Sequence, residues 1–303
     1  MELNEMLRNG EIPQIGIGPG ILGYTAKYNK QSRLASFTRR AYSRLIGRKL
    51  QERNYVKSVA TALRMGYRLI DYSSAYGDGA LIGSAVKDSG IPREQLFITT
   101  RVSNYAQRNH QVREEFLNTI HHMGIEYVDL LQFHWPVTDL FLDTWREMEK
   151  LKDEGYVRHL GVANCHQHHL EEIFGICKHR PEIGQFEIHP LFTQKPLIRY
   201  YKEQGIIVEA YTPLARYDDR LVRLPLLRRL EQKYSKTFVQ IILRWHVQNG
   251  VIPLVRSLTY NHQLEDFSIF DFELSNEDMK DIDGININSR LRYDPDNCDF
   301  SIL

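Results

Sequence analysis

Asp71 ends an apolar run, G-Y-R-L-I-D, and Tyr76 follows five residues later in D-Y-S-S-A-Y-G. A carboxylate at a strand end and a phenol just beyond it can form a proton-donating pair beside a reacting carbonyl. Two later runs end in groups that suit the same chemistry. D-L-L-Q-F-H-W-P closes on His134, and V-E-A-Y-T-P-L closes on Tyr211. Taken singly, each residue also has a plainer role: Tyr76 is one of 17 tyrosines and could pack a loop, Asp71 could cap a turn, and His134 could sit satisfied in a core.

The elements that must bring these residues together are short β-type runs alternating with longer helical patterns. Strands are expected to end near Gly18, Asp71, Arg101, His134, Ala163, Glu187, Thr212 and Val255. Amphipathic stretches are expected at 52–65, 107–123, 139–154, 166–178 and 237–249. Eight β-then-α units require parallel strands joined by crossover helices, which fits a closed α/β (β/α)8 TIM barrel. L-N-E-M-L-R, Asn9-Gly10 and E-I-P-Q-I-G predict an N-terminal β-hairpin, and a short tail follows the last helix. With no linker or repeat, residues 1–303 read as one domain. A barrel places Asp71, Tyr76, Arg101, His134, Asn164, Gln185 and Tyr211 at one rim, the C-terminal face, so residues scattered along the chain converge there.

Composition narrows the partners. The chain has 303 residues, a formal net charge of +1, 42% hydrophobic and 25% charged residues. That balance demands neither nucleic acid nor membrane. The acidic start lacks a secretory pattern. Cys165, Cys177 and Cys298 are odd in number without C-x-x-C spacing, so reduced thiols and a cytoplasmic setting are expected. His166, His168 and His169 cluster at a helix start without a matching Cys or carboxylate constellation, so no metal site is expected.

The order and spacing of several segments resemble the aldo-keto reductase family. They are I-P-Q-I-G-I-G, G-Y-R-L-I-D-Y-S-S-A-Y-G, L-F-I-T-T-R, the His134-Trp135 segment, E-G-Y-V-R-H-L-G-V-A-N, Q-F-E-I-H-P, V-E-A-Y-T-P-L, V-I-P-L-V-R-S and F-D-F-E-L-S-N-E-D-M. The tail L-R-Y-D-P-D-N-C-D-F is similar to that of bacterial members. The resemblance implies reduction of an aldehyde or ketone by hydride from NADP(H), with NAD(H) as the second choice. Tyr76 is then the proton donor. A phenol with an ordinary pKa of about 10 needs a nearby cation, held by Asp71, to release its proton near neutrality. His134 orients the carbonyl as a neutral imidazole, and Trp135 joins Tyr76 and His134 on the substrate side. Tyr211 stacks on the nicotinamide, Asn164 and Gln185 bond its carboxamide, and Gly18, Asp71, Thr212, Pro213 and Leu214 complete that end of the cofactor site. Arg256, Ser257, Thr259, His262, Glu265 and Asp266 form the adenosine end. The partner is a small-molecule carbonyl substrate and the protein is expected to be a monomer. The alternative is a reductase-like barrel that binds cofactor as a sensor with little turnover.

Three departures from the family pattern stand out. Arg101 occupies the position of the usual lysine, keeping a cation but with a larger, planar head. At the adenosine end Val255-Arg256-Ser257, His262 and Glu265-Asp266 replace a lysine, an arginine and a Glu-Asn pair, so Asp266 adds negative charge. After Gly18, Pro19-Gly20 opens a segment at about 20–50 whose bases Lys27, Lys30, Arg33, Arg39, Arg40, Arg44, Arg48 and Lys49 face no acidic residue between Lys27 and Lys49. Such a run suits a solvated face or a lid that attracts an anionic substrate.

Overall fold

A computed structural model of the chain describes residues 12–18, 48–74 and 79–300. The Asn9-Gly10 hairpin, nearly all of the basic segment and Tyr76 lie outside the described residues. Eight parallel strands pair in chain order: β1 (Gly16–Ile17), β2 (Leu69–Asp71), β3 (Phe97–Val102), β4 (Val128–Phe133), β5 (Val157–Ala163), β6 (Ile183–Glu187), β7 (Ile207–Tyr211) and β8 (Val251–Val255). β1 also pairs with β8, Gly16 opposite Leu254 and Ile17 opposite Val255, so the sheet closes into a barrel. The expected strand ends fall within about a residue of those observed. An apolar run bounded by turn residues marks a parallel strand well, because both of its faces are buried.

The helical expectations hold with one correction. Stretch 107–123 is two helices, Asn104–Arg108 and Val112–Met123. The chain turns between them at His110, whose φ is 54°, and Ser103 caps the first by accepting from the Ala106 N–H. Helix Phe238–Gln248 opens with a reciprocal cap in which Thr237 and Gln240 each accept the other's backbone N–H, at 3.3 and 3.1 Å.

Two apolar shells lie between sheet and helices, one built around Phe133, Trp145 and Trp245 and the other around Leu63, Tyr67 and Ile98. A third cluster, Ile12, Leu69, Phe97, Leu130, Ile183, Ile207, Ile252 and Leu254, draws one or two side chains from nearly every strand and fills the floor of the lumen. Side chains along a strand alternate faces, so every second residue points inward. Stepping up two residues from Leu69, Leu130, Ile183 and Ile207 reaches Asp71, Gln132, Gln185 and Glu209, and four up from Phe97 reaches Arg101. The floor is apolar and the storey above it is polar.

Close packing of the sheet against its helices depends on glycine at Gly184 in β6. A Cβ there would overlap the ring of Tyr201. That ring is fully buried and its hydroxyl donates to the Cys165 carbonyl at 2.8 Å, so it cannot step aside. Gly184→Ala is expected to cost ~1–3 kcal/mol by overpacking. Gly175→Ala, in helix Gln167–Ile176 with nothing within 4 Å of the new methyl, should instead be neutral or gain ~0.5–1 kcal/mol. Thermal melts of the two variants check the contrast.

Candidate active site

The polar storey is one hydrogen-bonded network. Arg101 Nη2 pairs with Asp71 Oδ1 and donates to Gln185 Oε1 at 2.6 Å. Gln185 Nε2 donates to Glu209 Oε2 at 2.9 Å and lies 3.3 Å from Asp71 Oδ1. Register explains the contacts: Gln185 and Glu209 are direct partners across β6 and β7, and Arg101 and Gln132 across β3 and β4. All of these residues are buried. Two carboxyl groups therefore share one guanidinium in a space with little water. Burial raises Asp71 above its ordinary value, and the Arg101 charge with the Gln185 amide offsets this only in part. Burial, then the Asp71 charge, pushes Glu209 up to about 7. Arg101 thus pairs with Asp71 while Glu209 ionises near neutrality.

At the rim above, Tyr211 donates its hydroxyl to Asn164 Oδ1 at 2.6 Å, and Asn164 Nδ2 donates to the His134 carbonyl at 2.9 Å. This chain links the ends of β4, β5 and β7. Burial first, then the charges of Arg101 and Arg292, pushes His134 down to about 3. This shift keeps the imidazole neutral at physiological pH. The β7 loop is the most contorted backbone described, with Thr212, Ala215, Arg216 and Tyr217 all at φ between 49° and 57°. For a β-branched residue such as Thr212 this conformation costs ~1–3 kcal/mol and persists where function over-determines it. Thr212 Oγ1 is buried without a hydrogen-bond partner among the described residues. An orphaned hydroxyl in a strained loop beside Tyr211 fits a cradle for a bound polar group such as a dinucleotide. Gly18 closes the other side of the rim, its N–H donating to the Val255 carbonyl at 2.8 Å.

Two expectations shift position. Gln185 commits both ends of its amide inside the lumen, because the planar head of Arg101 reaches it. Trp135 is buried in a cluster with Val137 and Phe300, and it packs on Tyr293 at 6.4 Å between centroids. It supports the tail, and its ring presents almost no surface to a substrate.

At the β8 end, Ser257 donates to Asp266 Oδ2 at 2.6 Å, both residues being buried, while Arg256, Thr259 and His262 are exposed and Glu265 is half-buried. Burial, reinforced by the neighbouring Glu265 and only partly offset by Ser257, pushes Asp266 up to about 7. The negative charge expected at this end is thus reduced near neutrality and present above it, and Arg256 lies exposed beside it.

Three residues carry signals that the motif reading passed over. Glu209 stands in the apolar run of V-E-A-Y, where a lone acid is itself conspicuous. Glu187 accepts the backbone N–H groups of Leu291 and Arg292 at 2.6 and 2.8 Å and holds the tail across the mouth. Although burial raises its pKa, His189 and these N–H groups bring it below the ordinary range. Arg292 comes from that tail, and its distance from β4 along the chain hid it. The tail is also tied by His166 Nδ1, 2.7 Å from Asp296 Oδ2. His169 Nδ1 accepts the His166 N–H at 3.1 Å and Arg290 approaches His166 Nε2 at 3.3 Å. A neutral His169 then carries its proton on Nε2. The fold brings Asp294 and Asp296 beside His166, His168 and His169, supplying carboxylates that spacing along the chain did not reveal.

Asp266 has a measurable signature in stability. Its folded pKa lies above the unfolded one, so its stabilising contribution is complete below about 4 and is lost as pH rises through about 7. Asp266→Asn, which retains an acceptor for Ser257, should gain about 2–3 kcal/mol relative to the parent between pH 5 and pH 8. Denaturation midpoints across that range check it.

Comparison with known proteins agrees with this geometry. The model of the Aldo/keto reductase family matches residues 43–287. The glyoxal reductase of Bacillus subtilis is 40% identical over 240 residues, covering 79% of this chain and 86% of that protein. The methylglyoxal reductase DkgA of Yersinia pestis is 35% identical over 241 residues, covering 79% and 86%. Among solved structures, an aldo-keto reductase from a Medee basin deep-sea metagenome library superposes with a TM-score of 0.83 at 31% identity, covering 96% of this chain and 98% of that one. An aldo-keto reductase of Bombyx mori in complex with NADP gives 0.78 at 26% identity, covering 94% and 92%. Relatives named as reductases favour turnover over the sensor alternative. The chain belongs to the aldo/keto reductase family and is an NAD(P)H-dependent oxidoreductase.

Proposed function

We propose that this protein reduces a small aldehyde or ketone to the alcohol, with NADP(H) as the hydride source and Tyr76 as proton donor. The observation that carries this reading is the buried Arg101–Asp71 pair directly beneath a rim where His134 is held neutral. The bound nicotinamide supplies hydride to the carbonyl carbon. Negative charge then develops on the carbonyl oxygen, and the protein's part is to receive it. His134 as a neutral imidazole donates one N–H to that oxygen and fixes its direction. Tyr76, which follows β2, delivers its proton, and the Arg101 guanidinium makes the phenolate less costly. Asp71 keeps Arg101 in place and limits its net charge. Tyr211 and Asn164, already bonded to each other, would hold the nicotinamide end of the cofactor, with Thr212 Oγ1 as an additional polar contact. Arg256 with Ser257 suits a 2′-phosphate, and partial protonation of Asp266 near neutrality lessens the repulsion that would oppose it.

The substrate is small, and a carboxylate-bearing one is favoured. The relatives named above act on glyoxal and methylglyoxal, which are short dicarbonyls. The cation from the tail, Arg292, acts on His134 and is clamped there through its own backbone by Glu187. A carboxylate on the substrate would pair with it while the carbonyl rests on His134. We further propose a monomer in the cytoplasm, consistent with three cysteines that are all free. No helix among the described residues is long and apolar enough to cross a membrane.

Two experiments test this reading. Tyr76→Phe should lower kcat for NADPH oxidation with methylglyoxal by ~100-fold or more, whereas Arg101→Lys should preserve or raise it. Parent protein that oxidises no NADPH with any aldehyde would end the proposal. Arg292→Gln should raise KM for glyoxylate by ~10-fold and leave KM for methylglyoxal within about twofold. Equal effects on the two substrates would remove Arg292 from recognition.

A further inference from the structure

We propose that Glu209 is a positioning residue for the reduction, acting through Gln185 on the Arg101–Asp71 pair so that its state of ionisation sets how readily Tyr76 gives up its proton. The inference rests on the reductase reading and assigns a role to a residue that stands inside the V-E-A-Y-T-P-L segment without one. Glu209 is fully buried, near the middle of β7, two residues above Ile207 on the lumen floor and two below Tyr211 at the rim. It does not reach the substrate. Its Oε2 accepts from Gln185 Nε2 at 2.9 Å, and Gln185 Oε1 accepts from Arg101 Nη2 at 2.6 Å, so one amide joins carboxyl to guanidinium. The charged groups facing it are Asp71 from β2 and Arg101 from β3, and the neutral ones are Gln185 from β6 and Gln132 from β4.

Arginine in place of lysine gives this arrangement its logic. A guanidinium has five donors in a fixed plane, more than Asp71 alone can satisfy. Gln185 takes one of the surplus N–H groups, and Glu209 fixes which way the Gln185 amide points: an acceptor on β7 keeps Nε2 toward Glu209 and Oε1 toward Arg101. When Glu209 is protonated, the lumen holds one carboxylate and one guanidinium, and the positive field reaching the phenol is set by that pair. When Glu209 loses its proton, a second negative charge enters the same water-poor space. A nearby anion stabilises the phenol over the phenolate, so proton delivery in the direction of reduction slows. Because burial places this ionisation near neutrality, the effect falls inside the physiological range.

The test compares pH profiles of kcat for NADPH oxidation with methylglyoxal in the parent protein and Glu209→Gln, from pH 5.5 to 9. The parent's kcat is expected to fall through a limb near pH 7. In the amide variant that limb should be missing, so that the ratio of kcat at pH 8 to kcat at pH 6 rises ~3- to 10-fold while KM follows the same pH course in both proteins. Glu209→Leu, which deletes the acceptor, should lower kcat at every pH without restoring the limb. As a check independent of variants, the carboxyl ¹³C resonance of Glu209 in the NADPH-bound protein should titrate near 7. Identical limbs in parent and amide variant, or a ¹³C titration in the ordinary glutamate range, would overturn the proposal. Absence of turnover in the parent would instead overturn the reductase reading on which it rests, so the two failures are distinct.

Discussion

A single guanidinium enclosed with two carboxyl groups and an amide is the constraint on which the rest of this molecule turns. A charge of that kind is tolerated inside a barrel only when its partners are fixed, because an uncompensated buried charge is strongly destabilising. Asp71, Gln185 and Glu209 supply that enclosure from three different strands. Their register follows from barrel closure, and the apolar floor beneath them keeps water out of the storey in which they meet. At the rim above stand an imidazole held neutral by burial, a strained loop and an aromatic ring, those of His134, Thr212 and Tyr211.

The same enclosure explains how the chain accommodates arginine where its family usually carries lysine. An ammonium is a compact charge that one carboxylate and a phenol can satisfy. A guanidinium is broader and brings extra donors that must be matched. Here the match comes from Gln185, turned inward and braced by Glu209. That move commits both ends of the Gln185 amide inside the lumen, while Asn164 bonds to Tyr211 at the rim. One substitution at the end of β3 is therefore coupled to the function of residues on β6 and β7.

Much of the fold was legible in the sequence because parallel barrel strands are short apolar runs with abrupt ends, and those ends are where the reactive groups stand. From that regularity and from motif order Asp71, Arg101, His134, Asn164 and Tyr211 were expected to converge, and the structure joins Asp71 to Arg101 and links Tyr211, Asn164 and His134. The break at His110 was not, since a helix–turn–helix with continuous amphipathic pattern differs from one long helix only in a few residues of local backbone. Glu209 escaped because one acid inside a strand reads as part of its motif until register shows what it faces. Arg292 escaped for a different reason. It reaches the site through a tail whose path is set by Glu187, His166 and Trp135, long-range contacts that leave no periodic mark.

The central claim is that the guanidinium makes a phenol acidic at the barrel mouth. It is tested most directly by labelling tyrosines with ¹³C at Cζ, assigning Tyr76 by its loss in Tyr76→Phe, and following its resonance with pH in the NADP-bound protein. A titration at least one unit below the ~10 of a free tyrosine is predicted, returning toward that value in Arg101→Met. A Tyr76 that titrates at or above 10, and is indifferent to the charge at position 101, would contradict the account.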